Sequence, residues 1–105
     1  MNTKTENITK LIRANINQID PIADVILYGS RARGDSHEGS DWDLLILTNY
    51  TVDLKKESEF RDNLYDLELE TGEPFSVFVY SKNEWTTKYH FSSFYHNVLE
   101  DGVRL

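Results

Sequence analysis

Two aspartates with one residue between them are the first candidates for chemistry in this chain. Asp41 and Asp43 stand at the start of an apolar segment. If that segment is a β-strand, both carboxylates point to the same face, roughly 7 Å apart along the backbone. The pair would repel itself and lose hydration unless a cation lay between the two groups, and oxygen ligands suit Mg²⁺ or Mn²⁺. The alternative is that both acids are simply hydrated at an exposed strand end.

A glycine–serine turn precedes this pair by about ten residues. Gly29 permits a sharp turn at the end of a β-rich run, and Ser30 could cap a short helix whose N–H groups attract phosphate. Arg31 and Arg33 add two permanent positive charges within reach of the same point. The alternative is a plain turn with solvated arginines. If the two strands are adjacent, the turn and the acids meet at one sheet edge, as metal-assisted phosphoryl transfer requires.

The rest of the chain supplies the elements that must position these residues. The predicted elements are a helix opened by a Thr3–Glu6 capping box and ended by Pro21, strands over 25–28, 41–47 and 75–80, a polar loop over 31–40, a long helix over 54–71, a short helix opened by Ser81, and a last helix over 93–100. The apolar positions assigned to the long helix are Leu54, Phe60, Leu64, Tyr65, Leu67 and Leu69. An aromatic group is interpreted as packing a core or an interface, and it comprises Trp85, Tyr89, Phe91, Phe94 and Tyr95. The order predicts an α+β fold, an α/β sandwich with a small mixed sheet of three to four strands and helices packed on one face.

Composition narrows the classes of protein to be considered. A length of 105 residues predicts one domain over 1–105, small enough that a partner subunit, including a second copy, would help its stability. There is no cysteine, which excludes disulfides and thiolate metal sites. The net charge of −7 argues against non-specific nucleic-acid binding but leaves room for a small polyanion in a local basic pocket. Without a membrane-length apolar run or a signal-peptide core, we expect a cytoplasmic protein.

The turn and the acid pair together resemble the signature of the minimal nucleotidyltransferases, a family of the DNA polymerase β superfamily. The residues that carry the resemblance are Gly29-Ser30-Arg31-Ala32-Arg33-Gly34-Asp35, followed by Ser40-Asp41-Trp42-Asp43-Leu44-Leu45. The resemblance implies a polymerase β-type fold and transfer of a nucleoside monophosphate from a nucleoside triphosphate, foremost ATP, to a hydroxyl group. It also implies a small helical HEPN-type protein as a partner, in a toxin–antitoxin pair.

The same resemblance implies a role for each residue of the motif. Asp41 and Asp43 would bind Mg²⁺ or Mn²⁺ and act as the catalytic acids. Gly29 and Ser30 would hold the terminal phosphates. The other residues assigned to the nucleotide site are Arg31, Arg33 and Ser40.

The chain departs from the family pattern at the position of a third carboxylate. That acid comes from a later strand, and Ser76 occupies the position that we align with it. Serine neither ligates metal as a carboxylate does nor acts as an efficient base at neutral pH. Glu70, Glu73 and His37 are conceivable substitutes. Three hypotheses therefore stay open: a nucleotidyltransferase, an antitoxin-like nucleotide-binding module with little or no activity, and a structural domain in which both motifs are accidental.

Overall fold

Five helices and four strands follow one another along the chain in a computed structural model that describes residues 2–105. Their bounds are α1 (Thr3–Asn17), β1 (Asp24–Tyr28), α2 (Ser30–Arg33), β2 (Trp42–Thr48), α3 (Leu54–Thr71), β3 (Phe75–Ser81), α4 (Lys82–Thr87), α5 (Ser93–Asp101) and β4 (Val103–Arg104). The three longer strands and all predicted helices are present. None of the helices over residues 2–105 combines the length and the hydrophobicity that a membrane span requires.

The strands form one mixed sheet in the order β3-β2-β1-β4. β1 pairs antiparallel with both β2 and β4, whereas β2 and β3 are parallel. The α+β fold with a small mixed sheet is thereby confirmed. The two-residue strand β4 is not predicted from the sequence, because two residues carry no periodicity.

The long helices α1 and α3 cover one face of the sheet and enclose the larger core. The buried residues of this core are Ile8, Ile12, Ile16, Ala23, Val25, Leu27, Trp42, Leu44, Ile46, Phe60, Leu64, Leu67, Val77 and Val79. Leu45 and Leu47 point to the opposite face, where they pack with Trp85 of α4 and Val98 of α5. Four consecutive apolar residues over 44–47 predict a strand that is buried on both faces, and the structure confirms this.

The expectation that all helices pack on one face is wrong for α4 and α5, which lie on the second face of the sheet. Their aromatic side chains form the packing there, as the interpretation of this group proposed: Trp85 contacts Tyr80, Tyr89, Phe94 and Tyr95. Phe91 is the exception, because its side chain is 89% exposed.

Three of the six apolar positions assigned to α3 are exposed: Leu54, Tyr65 and Leu69. Phe60, Leu64 and Leu67 are buried and fall on one stripe at intervals of four and three residues. A helix that packs on a single sheet can bury only such a stripe. Tyr65 and Leu69 lie beyond its edge, so the sequence pattern overestimates how much of α3 is covered.

Both ends of α1 differ from the prediction, whereas the bounds of α3 and the start of α4 agree with it. The helix ends at Asn17, before Pro21, which was expected to end it. Asn2 caps α1, with its side-chain oxygen accepting from the Thr5 N–H at 2.8 Å, so the Thr3–Glu6 capping box does not form. Gly72 ends α3 in the left-handed conformation, and Ser81 caps α4 as predicted.

Candidate functional site

The sheet register brings three residues side by side at the end where β1 stops and β2 and β3 begin. Tyr28 pairs with Asp43, and Asp43 in turn pairs with Ser76. Residues directly opposite each other on neighbouring strands share a face of the sheet. All three side chains therefore lie on the face that α4 and α5 cover, whereas Trp42 points to the other.

The Asp43 carboxylate lies directly against the bend at Gly29. A Cβ atom built on Gly29 would overlap Oδ2 of Asp43 and would lie 3.2 Å from its Cγ. The backbone at Gly29 has φ 75° and ψ −158°, a combination that is essentially restricted to glycine. The bend and the second acid of the pair thus meet in space, and the absence of a side chain at Gly29 makes the contact possible.

The helix that follows the bend is short and begins one residue earlier than a Ser30 cap would require. Gly29 is the N-cap, and its carbonyl accepts from the N–H groups of Ala32 and Arg33. Ser30 is the first residue of α2 rather than its cap. The N–H groups of Ser30 and Arg31 open the helix and have no acceptor within it, so they are available to a ligand at the bend.

The two aspartates differ in exposure and influence each other. Asp41 is exposed just before β2, and Asp43 is partly buried. Burial raises the pKa of the Asp43 carboxyl, the negative charge of Asp41 raises it further, and Arg33 opposes the shift. This carboxylate therefore lacks a full counter-charge, and a divalent cation would supply one.

The described residues contain no group of three or more His, Cys, Asp or Glu side chains placed to hold a metal ion. A cation at Asp41 and Asp43 would have two carboxylate ligands and would take its other oxygens from phosphate and water. Mg²⁺ is commonly bound in this way. The residues present therefore fit a magnesium–nucleotide complex better than a metal held by protein alone.

Neither glutamate proposed as a third acid reaches the pair. Glu70 is exposed at the end of α3. The Glu73 carboxylate lies 2.7 Å from the Lys4 ammonium and 3.7 Å from the Arg31 guanidinium, and it accepts from the Trp42 indole N–H at 3.2 Å. Because Trp42 and Asp43 point to opposite faces, Glu73 belongs to the other side of the sheet. It anchors the N-terminus of α1.

Arg31 is buried and turned inward. Its Nη2 donates to the Ser40 carbonyl at 3.1 Å, its Nη1 donates to the Ser36 hydroxyl at 3.4 Å, and its guanidinium lies 4.6 Å from the centre of the Trp42 ring. These contacts join the start of the 34–41 loop to its end. In this structure Arg31 braces the loop, and the phosphate contact expected from the sequence stays a prediction.

Arg33 is the exposed arginine of the motif. Its Nε lies 3.0 Å from Asp35 and its Nη1 lies 2.9 Å from Asp101 of α5. The sequence gives no sign of Asp101, because it is 68 positions away and belongs to no motif. The contact with Asp101 links the motif to α5. Arg33 also lies near Asp43, and its positive charge lowers the pKa of the Asp43 carboxyl.

Ser40 and His37 contact each other within the 34–41 loop. Tyr28, by contrast, lies beside the site although the sequence analysis did not assign it there. The Ser40 hydroxyl accepts from the His37 backbone N–H at 3.0 Å, and the His37 side chain is exposed. Tyr28 packs against Phe94, with ring centres 5.4 Å apart. Burial and then the charge of Asp43 raise the pKa of the Tyr28 hydroxyl, so it stays protonated beside the site. Its position directly before Gly29 is the one signal that could have identified it.

Replacing Glu73 by glutamine tests its anchoring role. We expect Glu73→Gln to lower the free energy of unfolding at neutral pH by about 1–2 kcal/mol, because charge-assisted hydrogen bonds to Lys4 and Trp42 are lost. The hydrogen bond from Lys4 holds the pKa of Glu73 below its ordinary value of 4.5. The stabilisation is therefore present above that value and is lost as the pH falls through the lower folded-state pKa.

Urea unfolding of both proteins from pH 7 to pH 3 measures the difference. The gap between wild type and Glu73→Gln should narrow as the pH falls below 4.5. Glu70→Gln is the matched control, since Glu70 is exposed on α3. A gap that does not change with pH would contradict the assignment.

Comparison with known proteins places this geometry in a family. The sequence model described as polymerase beta, nucleotidyltransferase, matches residues 6–102. No curated protein matches the sequence significantly.

Similar solved structures include chains of toxin–antitoxin complexes. A chain in a toxin–antitoxin structure with AMP-PNP is 22% identical, with 95% of this chain and 70% of that chain covered and a TM-score of 0.57. Two chains from mutants of the toxin–antitoxin MntA–HpeT are 21% and 23% identical, with 99% and 95% of this chain and 72% and 69% of those chains covered and TM-scores of 0.54 and 0.55. At these identities the likeness shows the fold.

Proposed function

The chain belongs to the polymerase β nucleotidyltransferase family, and on this premise we propose that it transfers a nucleoside monophosphate from a nucleoside triphosphate to a hydroxyl group. The observation that carries the proposal is the contact between the Asp43 carboxylate and the bend at Gly29. It puts a partly buried acid and the free N–H groups of a helix start within one site. A nucleotide whose phosphates sit at the bend would reach the carboxylates with its metal ion.

In the proposed site, Asp41 and Asp43 hold a divalent cation, and the N–H groups of Ser30 and Arg31 bind the terminal phosphates. The cation, when bound, supplies positive charge that neutralises the triphosphate. The Arg33 guanidinium adds charge beside Asp43, once it exchanges Asp35 or Asp101 for a phosphate oxygen. The Arg31 side chain and Ser40 position the loop rather than the nucleotide.

The proposed reaction forms one phosphorus–oxygen bond and breaks another. The acceptor oxygen attacks the α-phosphorus, the bond from that phosphorus to the bridging oxygen breaks, and pyrophosphate leaves. The acceptor loses a proton, which passes to solvent because a serine hydroxyl at position 76 is a poor base. We therefore expect slow turnover. ATP is the proposed donor, supported by AMP-PNP in one of the similar structures.

An antitoxin-like module with weak or no activity is the second candidate function. The observation in its favour is Ser76, which is directly paired with Asp43 where a third acid would complete the site. The similar toxin–antitoxin chains support a protein partner, and a HEPN-type protein is the partner we propose. In this case nucleotide binding would regulate the partner without transfer.

One pair of measurements separates the two candidates. Calorimetry with Mg²⁺ and a non-hydrolysable ATP analogue tests nucleotide binding, and pyrophosphate release in the presence of a co-expressed helical partner tests transfer. Binding with release supports the enzyme, and binding without release supports the module. Absence of binding would contradict both.

Introducing the missing acid provides a direct test of the site geometry. We expect Ser76→Asp to raise the rate of pyrophosphate release roughly tenfold or more, since a positioned general base contributes about 10²–10⁴-fold. The third carboxylate also adds repulsion beside Asp43, so the metal-free variant should melt below wild type, and Mg²⁺ should stabilise it more than it stabilises wild type.

Ser76→Asn is the matched control for Ser76→Asp. It has nearly the same shape and no charge, and we expect neither the rate increase nor the larger response to Mg²⁺. Equal metal responses of the two variants would show that position 76 does not face the cation.

A further inference from the structure

The outer edge of β3 has no pairing strand. β3 is the last strand of the sheet on its side, and within the described residues β2 is the only strand that pairs with it. Its sequence, Phe-Ser-Val-Phe-Val-Tyr-Ser, contains no charged residue and no proline. Proteins usually protect an open edge with lysine, proline, a bulge or a very short strand. A seven-residue edge without these features can form backbone hydrogen bonds with a further strand.

The backbone groups that point outward on this edge can be identified from the pairing with β2. The Pro74 carbonyl accepts from the Trp42 N–H at 2.9 Å, so it faces β2. Because backbone direction alternates along a strand, Ser76 and Phe78 also direct their N–H and C=O groups to β2. Val77 and Val79 direct theirs outward. At the start of the strand, the outward N–H of Phe75 donates to the Glu68 carboxylate at 3.0 Å.

Exposed apolar side chains flank the edge on both faces of the sheet. On the α3 side, Tyr65 is 57% exposed and lines a groove of about 310 Å³. The apolar lining of this groove also includes Leu64, Phe75 and Val77, and its charged lining comprises Arg61, Asp62 and Glu68. Leu69 lies one helical turn further along and is 67% exposed. On the other face Phe78 is 39% exposed. Tyr65 and Leu69 are among the apolar positions that the sequence pattern assigned to α3.

We propose that β3 pairs with β3 of a second copy of this chain, antiparallel, about a two-fold axis at Phe78. In this register Val77 lies opposite Val79 of the other copy, and the two residues can exchange both backbone hydrogen bonds. Each Phe78 lies opposite its equivalent in a non-hydrogen-bonded pair. Phe75 lies opposite Ser81 of the partner subunit, but its N–H stays with Glu68, so Val77 and Val79 carry the hydrogen bonds between the copies. The eight strands form one continuous sheet.

A second copy fits this edge better than an unrelated strand because the edge is complementary to itself. An axis at the central residue matches every outward-facing residue with another outward-facing residue. The net charge of −7 disfavours self-association in general, but β3 carries none of that charge. The same symmetry brings Tyr65 and Leu69 of both copies to the same side of the joined sheet.

The proposed dimer borders the functional site. In the same register Ser76 lies opposite Tyr80 of the partner subunit, and Ser76 is the neighbour of Asp43 within the chain. The pairing itself requires neither nucleotide nor metal. It can therefore be tested apart from nucleotidyl transfer.

Cysteine cross-linking tests the register. The chain has no cysteine, so Phe78→Cys introduces a single thiol. Opposed residues of a non-hydrogen-bonded pair have Cα atoms about 4.5 Å apart, within the range that a disulfide spans. We expect this variant to form a covalent dimer under mild oxidation at least tenfold faster than Phe91→Cys. Phe91 is 89% exposed and belongs to the connection between α4 and α5 rather than to β3, so it serves as the matched control.

A charged residue at position 78 tests the pairing of the two β3 strands without covalent cross-linking. Wild type should sediment as a dimer at about 100 μM, and Phe78→Lys should sediment as a monomer with an unchanged far-ultraviolet circular dichroism spectrum, because two lysines would face each other. Phe91→Lys should remain dimeric. A monomeric wild type, or equal cross-linking rates for the two cysteine variants, would overturn the proposal. Should Phe78→Lys unfold, the sedimentation of wild type and the cross-linking rates decide the matter.

Discussion

Replacing both Asp41 and Asp43 by asparagine should abolish the rise in melting temperature that Mg²⁺ and ATP cause in the wild-type protein. A ligand that binds only the folded state stabilises it by about 2.7 kcal/mol at a concentration of one hundred times Kd. For a domain of this size that corresponds to a rise of roughly 10 °C or more. Without carboxylates the cation has no protein ligand, so the nucleotide should lose its metal-dependent affinity. Pyrophosphate release should fall by at least about three orders of magnitude.

When no metal is present, removing the charge of Asp43 should raise the melting temperature of the protein rather than lower it. Burial and the charge of Asp41 raise the pKa of Asp43 in the folded state. A raised carboxyl pKa means that this group's contribution to stability is complete below its unfolded pKa and declines as the pH rises through the folded pKa. Above that raised pKa, the wild-type protein without metal has lost that contribution. Asp43→Asn cannot ionise and should melt above wild type when no metal is present.

Differential scanning fluorimetry with and without Mg²⁺ and ATP measures both effects on the same samples. Asp62→Asn is a suitable control because Asp62 is exposed on α3, away from the pair. The control should keep the full ligand-dependent rise. If the double variant also kept it, the ligand would bind elsewhere and the proposed site would be wrong.

Gly29→Ala should both destabilise the protein and disrupt the site. The backbone at Gly29 has φ 75° and ψ −158°, which a residue with a Cβ adopts at a cost of about 1–3 kcal/mol. The added Cβ would also overlap Oδ2 of Asp43 and force the carboxylate away from the bend. We expect a loss of roughly 2–4 kcal/mol in the free energy of unfolding from these two effects. Nucleotide binding should become undetectable.

Two other glycines provide controls that share a positive φ with Gly29 but not the contact with Asp43. Gly34 and Gly39 both have φ 85°, and a Cβ on either would have no atom within 4 Å. Alanine at these positions should cost about 1 kcal/mol from backbone strain and should leave nucleotide binding intact. Chemical denaturation and calorimetry of all three variants measure the comparison. A Gly29→Ala protein that resembled Gly34→Ala would show that the Asp43 contact does not constrain the site.

The site and the dimer edge can fail independently, and this makes both proposals testable. Loss of nucleotide binding in the Asp41 and Asp43 variants does not affect pairing through β3. A monomeric protein would leave the contact between Gly29 and Asp43 unchanged. The one point of connection is Ser76, which belongs to β3 and is paired with Asp43.

The sequence by itself determined the elements and the motif. Local signals sufficed for the bounds of α3, which agree with the structure at both ends, and for the Ser81 cap of α4. The apolar run over 44–47 predicted a strand that is buried on both faces. The family resemblance rested on residues 29–45, which lie close together in sequence. Each of these features depends on residues a few positions apart, and such features are encoded locally.

Only the tertiary structure decided which groups of the motif face the site. The two arginines look equivalent in sequence, but Arg31 is buried against Trp42 and Ser40, whereas Arg33 is exposed beside Asp43. The assignment of Asp101 to Arg33, and of Glu73 to Lys4 and Arg31, likewise depends on elements that are distant along the chain.

The exposure of Tyr65 and Leu69 also depends on how elements that are distant along the chain pack together. Their helical spacing indicates an apolar surface, but whether a surface is covered depends on what packs beside it. Periodicity reports the faces of each element, and only the packing of distant elements determines which of those faces meet.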